Sequence, residues 1–173
     1  MSPARPEHLR HFDYIGFYRY SLTFCTMQRQ RLFVTPPVVD LVLEQFLRGA
    51  GEEKFEILAY CFMPDHVHLL VAGIAETSDA KGFIARAKQY SGFYYKKQHK
   101  RRLWQRYGFE RVLRSDEATL AVARYIFENP VRAKLVSHPK EYPFLGSMVY
   151  TLDELLDAVQ EGDPPEFDIR AAG

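Results

Sequence analysis

Two histidines separated by one residue are the clearest chemical signal in this chain. His66 and His68 flank Val67 within the run Cys-Phe-Met-Pro-Asp-His-Val-His-Leu-Leu-Val at residues 61–71. In a β-strand, residues i and i+2 point to the same face and lie about 7 Å apart along the backbone. The surrounding residues are apolar, so the strand is predicted to be largely buried, where an imidazole without a partner is costly. The pair is therefore a candidate site for one metal ion, with a structural role as the alternative.

A second group of polar residues falls on a predicted helix. Tyr125 and Asn129 lie four residues apart in Arg-Tyr-Ile-Phe-Glu-Asn-Pro, so they share a helix face. A tyrosine hydroxyl, with a pKa of about 10, becomes a useful nucleophile when a metal polarises the electrophile. Asn129 would join the two histidines as a third ligand, with Tyr125 beside them. Imidazoles, an amide oxygen and waters suit Mg²⁺ or Mn²⁺, whereas the spacing of a zinc finger is absent from the sequence.

Positive charge is concentrated in residues 81–114. Eleven Lys and Arg residues face one acidic residue there, so the segment carries +10 and the remainder −9, although the whole chain carries +1. Aromatic residues interleave these cations. Cations neutralise phosphates and aromatic rings stack on unpaired bases, so the segment predicts a nucleic-acid surface. The alternative is a solvated basic helix face over an aromatic core. The candidate DNA contacts are Lys88, Lys96, Lys97, Lys100, Arg101, Arg102, Arg106, Arg111 and Arg114.

Several other residues near these motifs have competing interpretations. Tyr94, Tyr95 and Tyr107 rival Tyr125 by residue type, but their basic, aromatic context favours packing or base stacking. Trp104 is interpreted as a core anchor rather than a DNA contact. Asp65, directly before the histidine pair, either orients a histidine as a hydrogen-bond acceptor or serves a turn.

The bulk composition indicates an ordinary globular protein. The 173 residues predict one domain, with a core over about 14–150 and a frayed tail over about 162–173. No apolar run approaches the length of a membrane helix, and the N-terminus lacks the apolar core of a signal peptide. The two cysteines give no disulfide framework, which favours a reducing, cytoplasmic setting.

The pattern of strands and helices predicts an α+β fold. Strands joined by hairpin-like turns favour an antiparallel sheet covered by helices, with coverage of one face as the expectation. The predicted strands are 18–24, 55–62, 66–72 and 109–114, and the predicted helices are 36 to near Gly49, 77–97, 115–129 before Pro130, and 152–160.

Three motifs in a fixed order resemble a known family. Met63-Pro-Asp-His-Val-His-Leu-Leu-Val, then Leu103-Trp-Gln-Arg, then Tyr125-Ile-Phe-Glu-Asn-Pro-Val-Arg-Ala are similar to the signature of the single-tyrosine HUH transposases. Within that superfamily the chain most resembles the REP-associated tyrosine transposases. The resemblance covers roughly residues 14–148. The histidine box alone is moderately specific, whereas the ordered set is strongly specific.

This resemblance implies a fold, a reaction and a substrate. It implies a ferredoxin-like antiparallel sheet of the HUH endonuclease type, with the histidine pair on a central strand as metal ligands. It implies that Tyr125 attacks a phosphodiester of single-stranded DNA, giving a 5′-phosphotyrosine and a free 3′-hydroxyl. Asn129 stands where the insertion-sequence relatives have a glutamine as third ligand. The implied substrates are palindromes that fold into hairpins.

Two points stay open at the level of sequence. The insertion-sequence relatives are homodimers that share active sites, whereas the REP-associated type can work as a monomer. A domesticated DNA-binding protein that keeps the fold without transposing is the alternative to the enzyme. A weaker alternative is a metal-dependent phosphodiesterase that uses water, with Tyr125 only packing.

Overall fold

A computed structural model describes residues 12–160, apart from the side chain of Glu117. The predicted frayed tail lies outside these residues. Two short 3₁₀ helices, Met27–Arg29 and Pro139–Glu141, accompany the main elements. The strands are β1 Arg19–Cys25, β2 Phe55–Met63, β3 His66–Gly73, β4 Phe109–Leu113 and β5 Leu145–Gly146, and the helices are α1 Pro36–Glu53, α2 Ala80–His99, α3 Asp116–Arg132 and α4 Leu152–Gln160.

The five strands form one antiparallel sheet in the order β4-β1-β3-β2-β5. The first six elements run β-α-β-β-α-β, and their four strands take the order of a ferredoxin-like sheet. The α+β prediction is therefore confirmed. The strand β3, which carries both histidines, lies between β1 and β2 in the middle of the sheet. The two-residue strand β5 was not predicted, because so short a segment has no readable alternation.

Helices cover both faces of the sheet, so the expectation of one covered face is wrong. On one face, which we call the α1/α2 face, Val67, Leu69 and Val71 of β3 pack in a core with α1 and α2. On the other, the α3/α4 face, Leu70 packs with Ile126 and the rest of α3 and α4. The strand β3 carries apolar residues on both of its faces, so both faces of the sheet must be covered by helices.

Gly49 does not end α1, contrary to prediction. The helix continues to Glu53 and ends at Lys54, whose backbone φ of 59° is left-handed. A Cβ on Gly49 would lie 3.3 Å from the backbone nitrogen of Ala87 on α2. The glycine therefore permits the close approach of the two helices instead of terminating one of them.

Pro130 does not end α3 either. The helix runs two residues further, to Arg132, with Pro130 inside it. A proline removes one hydrogen bond to the carbonyl four residues earlier, which is tolerable in a last turn. The beginning of the helix is as predicted, since the Ser115 hydroxyl accepts a hydrogen bond from the backbone N–H of Ala118.

No helix within residues 12–160 combines the length and the apolarity needed to cross a membrane.

Candidate functional site

The histidine pair lies on the α3/α4 face of β3. Across the ladder with β1, His68 is opposite Thr23 and His66 is opposite Cys25. Directly opposed residues of antiparallel strands share a face, so these four side chains form a small polar patch. His68 is buried, with 7% of its surface exposed, and His66 is half-buried.

The two imidazoles turn the same nitrogen toward a common point. The His66 Nε2 and His68 Nε2 atoms are 3.1 Å apart, and the rings meet edge to face with centroids 4.8 Å apart. Two ligands at right angles on one octahedral ion, with bonds of about 2.1 Å, would be about 3.0 Å apart. The spacing of the nitrogens thus fits two adjacent ligands of a single divalent ion.

The opposite nitrogens of both rings have hydrogen-bond partners. The carboxylate of Asp65 accepts from His66 Nδ1 over 2.7 Å, and His68 Nδ1 lies 3.0 Å from the hydroxyl of Thr23. Partners of this kind orient metal-binding histidines in other proteins. Asp65 lies in the turn between β2 and β3 and also hydrogen-bonds His66, so the structure agrees with both sequence interpretations of this residue. Arg29 in turn donates from Nε to the other Asp65 oxygen over 2.9 Å.

Burial keeps both imidazoles neutral. It lowers the pKa of His68 to about 3, with further lowering by His66 and Arg132. Burial also lowers the pKa of His66, although Asp65 opposes that shift. A neutral imidazole has a free lone pair, which metal binding requires. Each neutral ring therefore keeps one nitrogen with a free lone pair near neutral pH.

The nearby thiols are not ready to act as ligands. Cys61 lies opposite His68 on β2, and burial raises the pKa of its thiol to about 12. Burial also raises the pKa of Cys25. Sequence reasoning placed only Cys61 near the pair, because the register that brings Cys25 opposite His66 is not readable from the chain. Among residues 12–160, no group of three His, Cys, Asp or Glu side chains is placed to hold a metal.

Helix α3 brings Tyr125 onto the strand that carries the histidines. The Tyr125 ring contacts the His68 ring edge to face, with centroids 5.9 Å apart. The Arg132 guanidinium lies 4.0 Å from the centre of the Tyr125 ring, and its Nη2 donates to the Tyr125 carbonyl oxygen over 2.6 Å. Sequence reasoning did not single out Arg132, although its position seven residues after Tyr125, two helical turns, was available as a signal.

Asn129 lies one turn after Tyr125 on the same helix and is half-buried. Its Nδ2 atom is buried and has no hydrogen-bond partner within the part of the chain that the structure describes. A buried amide group without a partner is costly. The unpaired Nδ2 is a donor, so it is left for an acceptor atom and not for a metal ion.

Four of the predicted DNA contacts line one cleft on the α1/α2 side of the molecule. This basic cleft has a volume of about 490 Å³ and lies between α2 and the loop 102–106. Lys88 is partly buried there, and its Nζ donates to the carbonyl oxygens of Gln105 and Arg106. Burial lowers the pKa of Lys88, and Arg102 adds to this effect. The cationic residues of the cleft are Lys88, Lys96, Arg102 and Arg106.

The other five candidate contacts lie elsewhere. Lys97, Lys100 and Arg101 are exposed around the C-terminal end of α2. Arg111 is exposed on the edge strand β4, and Arg114 directly follows that strand. Arg111 is opposite Ser21 of β1, which places it on the α3/α4 face with the histidines. The structure therefore divides the predicted basic surface between both faces of the sheet.

Trp104 is a core anchor, as predicted. It is 5% exposed and stacks on Phe46 with ring centroids 6.0 Å apart. Its indole N–H donates to the Ser91 hydroxyl over 2.9 Å. The rival tyrosine Tyr95 is buried in the same α1/α2 core, on the far side of the sheet from the histidines.

A ferredoxin-like sheet whose central strand carries a paired His-x-His, faced by a tyrosine from a following helix, defines an HUH-type α+β protein. The family model of transposases described as IS200-like matches residues 17–129. The chain therefore belongs to the IS200-like transposase family, which confirms the resemblance noted from its motifs.

A relative and two solved structures are similar to this chain. The chain is 29% identical over 137 residues to a protein of Haemophilus influenzae named "Putative REP-associated tyrosine transposase", covering 72% of this chain and 77% of the relative. A REP-associated tyrosine transposase solved with a REP hairpin shares the fold, with a TM-score of 0.72, 19% identity and coverage of 94% of this chain and 95% of that chain. A "putative transposase" from Deinococcus radiodurans gives a TM-score of 0.48 at 24% identity, over 71% of this chain and 96% of that chain.

Proposed function

We propose that this protein is a metal-dependent endonuclease and strand transferase for single-stranded DNA, with Tyr125 as its nucleophile. The observation that carries the proposal is the contact of the Tyr125 ring with His68, whose Nε2 lies 3.1 Å from that of His66. The ring of a potential nucleophile thus lies beside two neutral imidazoles whose Nε2 atoms face each other, all within a single chain.

The proposed step is a transesterification. The Tyr125 hydroxyl oxygen attacks a backbone phosphorus, the bond from that phosphorus to the 3′ oxygen breaks, and a 5′-phosphotyrosine forms. The proton lost by the tyrosine is balanced by the proton gained by the leaving 3′-hydroxyl. Because one ester bond replaces another, the step is reversible, and attack by a different 3′-hydroxyl transfers the strand.

His66, His68 and Asn129 would hold a divalent ion, with Mg²⁺ or Mn²⁺ as the proposed metal. When bound, such an ion polarises a phosphoryl oxygen and stabilises charge in the transition state. The facing Nε2 atoms support the two histidines as ligands, and Asn129 is included because it lies one turn after Tyr125 on the same helix. The side chains of Asp65 and Thr23 orient the two rings through hydrogen bonds at the Nδ1 atoms of His66 and His68.

The proposed substrate is DNA that folds into hairpins from repeated palindromes. The basic cleft and the cations around the end of α2 would hold its phosphates. The solved structure with a similar fold was determined with a REP hairpin bound, which supports a substrate of this shape.

The test is covalent capture of hairpin DNA with a single-stranded extension in Mn²⁺, comparing the wild type with Tyr125→Phe. We expect a protein–DNA adduct that survives denaturation, and its loss in Tyr125→Phe. Tyr107→Phe is the matched control, since Tyr107 is an exposed tyrosine outside the proposed site.

The outcomes separate the three functional hypotheses. Undiminished nicking by Tyr125→Phe would reject the nucleophile and favour a phosphodiesterase that uses water. Hairpin binding without nicking by the wild type would favour a domesticated DNA-binding protein. Full nicking in excess chelator would reject the role of the metal.

A further inference from the structure

Thr23 is the hydrogen-bond partner of His68, and its hydroxyl, unlike the carboxylate of Asp65, can either donate or accept. Its hydroxyl lies 3.0 Å from His68 Nδ1, on the side of the ring away from His66. Register places Thr23 opposite His68 on β1. A hydroxyl both donates and accepts, and its hydrogen rotates freely.

Asp65 fixes the tautomer of His66 but not that of His68. A carboxylate only accepts hydrogen bonds, so His66 Nδ1 carries a proton and a neutral His66 has its lone pair on Nε2. That lone pair points at His68 Nε2, 3.1 Å away. The tautomer of His66 therefore leaves its Nε2 lone pair available for a metal, whichever tautomer His68 adopts.

His68 has two neutral arrangements. In the first, its Nε2–H donates to His66 and its Nδ1 accepts from the Thr23 hydroxyl. In the second, its Nδ1–H donates to Thr23, and the two Nε2 lone pairs converge. Only the second arrangement lets both histidines bind one ion, and without an ion its two lone pairs repel each other.

We propose that Thr23 is a positioning residue that stabilises both tautomers of His68 and so lets the ion-free pair convert to a metal-binding pair. This inference rests on the metal role in the proposed function. A side chain that could only accept would favour the second arrangement, and one that could only donate would favour the first. The hydroxyl serves both because its hydrogen can turn either way, so no net proton need enter or leave the site.

The first test is binding of Mn²⁺ measured by isothermal titration calorimetry with wild type, Thr23→Val and Thr23→Ser. Valine keeps the shape of the side chain and removes the hydroxyl, whereas serine keeps the hydroxyl. Loss of a group that orients a ligand weakens metal binding by about 10- to 100-fold, so we expect this loss for Thr23→Val and affinity close to that of wild type for Thr23→Ser. Ser21→Ala, two residues away on the same face of β1, is the control.

The second test needs no variant. Nitrogen-15 spectra of wild-type histidines should place the His68 proton on Nε2 without metal and on Nδ1 with saturating Mg²⁺. A His68 proton that stays on Nε2 in the Mg²⁺-bound protein would overturn the proposal.

These tests also separate the inference from the proposed function. Equal Mn²⁺ affinity of wild type and Thr23→Val would overturn the role of Thr23 alone. Weak binding by both Thr23→Val and Thr23→Ser would mean that packing, not the hydroxyl, matters, which also overturns it. Absence of Mn²⁺ binding by the wild type would overturn the role of Thr23 together with the metal role.

Discussion

The histidine–tyrosine site and the basic cleft lie on opposite sides of one sheet and depend on different interactions. At the site, neutral groups are held by hydrogen bonds of 2.7–3.1 Å to Asp65, Thr23 and each other. In the cleft, exposed cations such as Lys96 and Arg102 line an open space. The site depends on fixed distances between its side chains, whereas the cleft depends on accumulated positive charge.

This difference separates two tasks. Chemistry at one phosphorus needs groups fixed to within a fraction of an ångström, which burial and hydrogen bonds provide. Attraction of a polyanion needs only accumulated positive charge, which tolerates mobile side chains. The two regions should therefore respond to different perturbations.

A short stretch of chain connects the two regions. The Gln105 backbone N–H donates to the Cys25 carbonyl oxygen over 3.1 Å, and Met27 donates to Leu103 over 2.8 Å. The loop that forms one wall of the cleft is thus tied to the end of β1, the strand that carries Thr23.

The largest expected effect is that of His66→Ala. Under the proposed function His66 is a metal ligand, and its loss should lower the rate of adduct formation about a thousandfold, because a metal contributes several kcal/mol to phosphoryl transfer. Hairpin affinity, measured by fluorescence anisotropy, should stay within about twofold, since the cleft is on the other side of the sheet. His138→Ala, an exposed histidine outside both regions, is the control. Equal loss of hairpin binding and of cleavage would contradict the assignment of these two functions to separate regions.

Removal of two cations from the cleft should have the opposite pattern. Lys96→Ala combined with Arg102→Ala should weaken hairpin binding about tenfold. It should also reduce the slope of log affinity against log salt concentration by about 0.9 for each phosphate of the hairpin stem that is no longer neutralised. Adduct formation at saturating DNA should be unchanged. The measurement is anisotropy across a NaCl series. Lys140→Ala removes a cation paired with Asp153 outside the cleft and serves as the control. An unchanged salt slope would exclude the cleft as the binding surface.

Phe109→Ala should have a smaller effect, limited to the affinity for single-stranded DNA. Phe109 is 40% exposed and opposite Thr23, so it lies in one row with Thr23 and His68. A base stacked on it would contribute about 1 kcal/mol, or about fivefold in affinity. Quenching of 2-aminopurine in a single-stranded oligonucleotide reports such stacking. Phe93→Ala, exposed on α2, is the matched control. An equal effect of both variants would argue against a specific strand position at Phe109.

The smallest functional effect is expected for Ser91→Ala. This change leaves the buried indole N–H of Trp104 without its acceptor, which should cost about 1–3 kcal/mol in the free energy of unfolding. Affinity for DNA and cleavage should change by less than about twofold, because the cations of the cleft remain. Urea unfolding gives the first quantity. Gln98→Ala, exposed on the same helix, should leave stability nearly unchanged. A large loss of affinity in a folded Ser91→Ala protein would show that DNA binding depends on the position of Trp104 in the cleft as well as on the charge of the cleft.

Local patterns predicted most elements because their causes are local. The apolar residues around the histidine pair marked β3, and the cap at Ser115 marked the start of α3. The errors came where a residue has a tertiary role: Gly49 is predicted to end a helix, but it lies at a close approach of α1 and α2. Pro130 is predicted to stop α3, although the last turn of a helix accommodates a proline.

The sequence by itself determined the residue types of the candidate site and their local spacing. His66 and His68 must share a strand face, and Tyr125 and Asn129 must share a helix face, because these periodicities belong to the backbone. Only the tertiary structure decided that Thr23 and Cys25 face the histidines, that Tyr125 contacts His68, and that the cations divide between two sides of the sheet. Strand register and helix docking join residues far apart in the chain, and they are fixed by burial of the whole core rather than by any single segment.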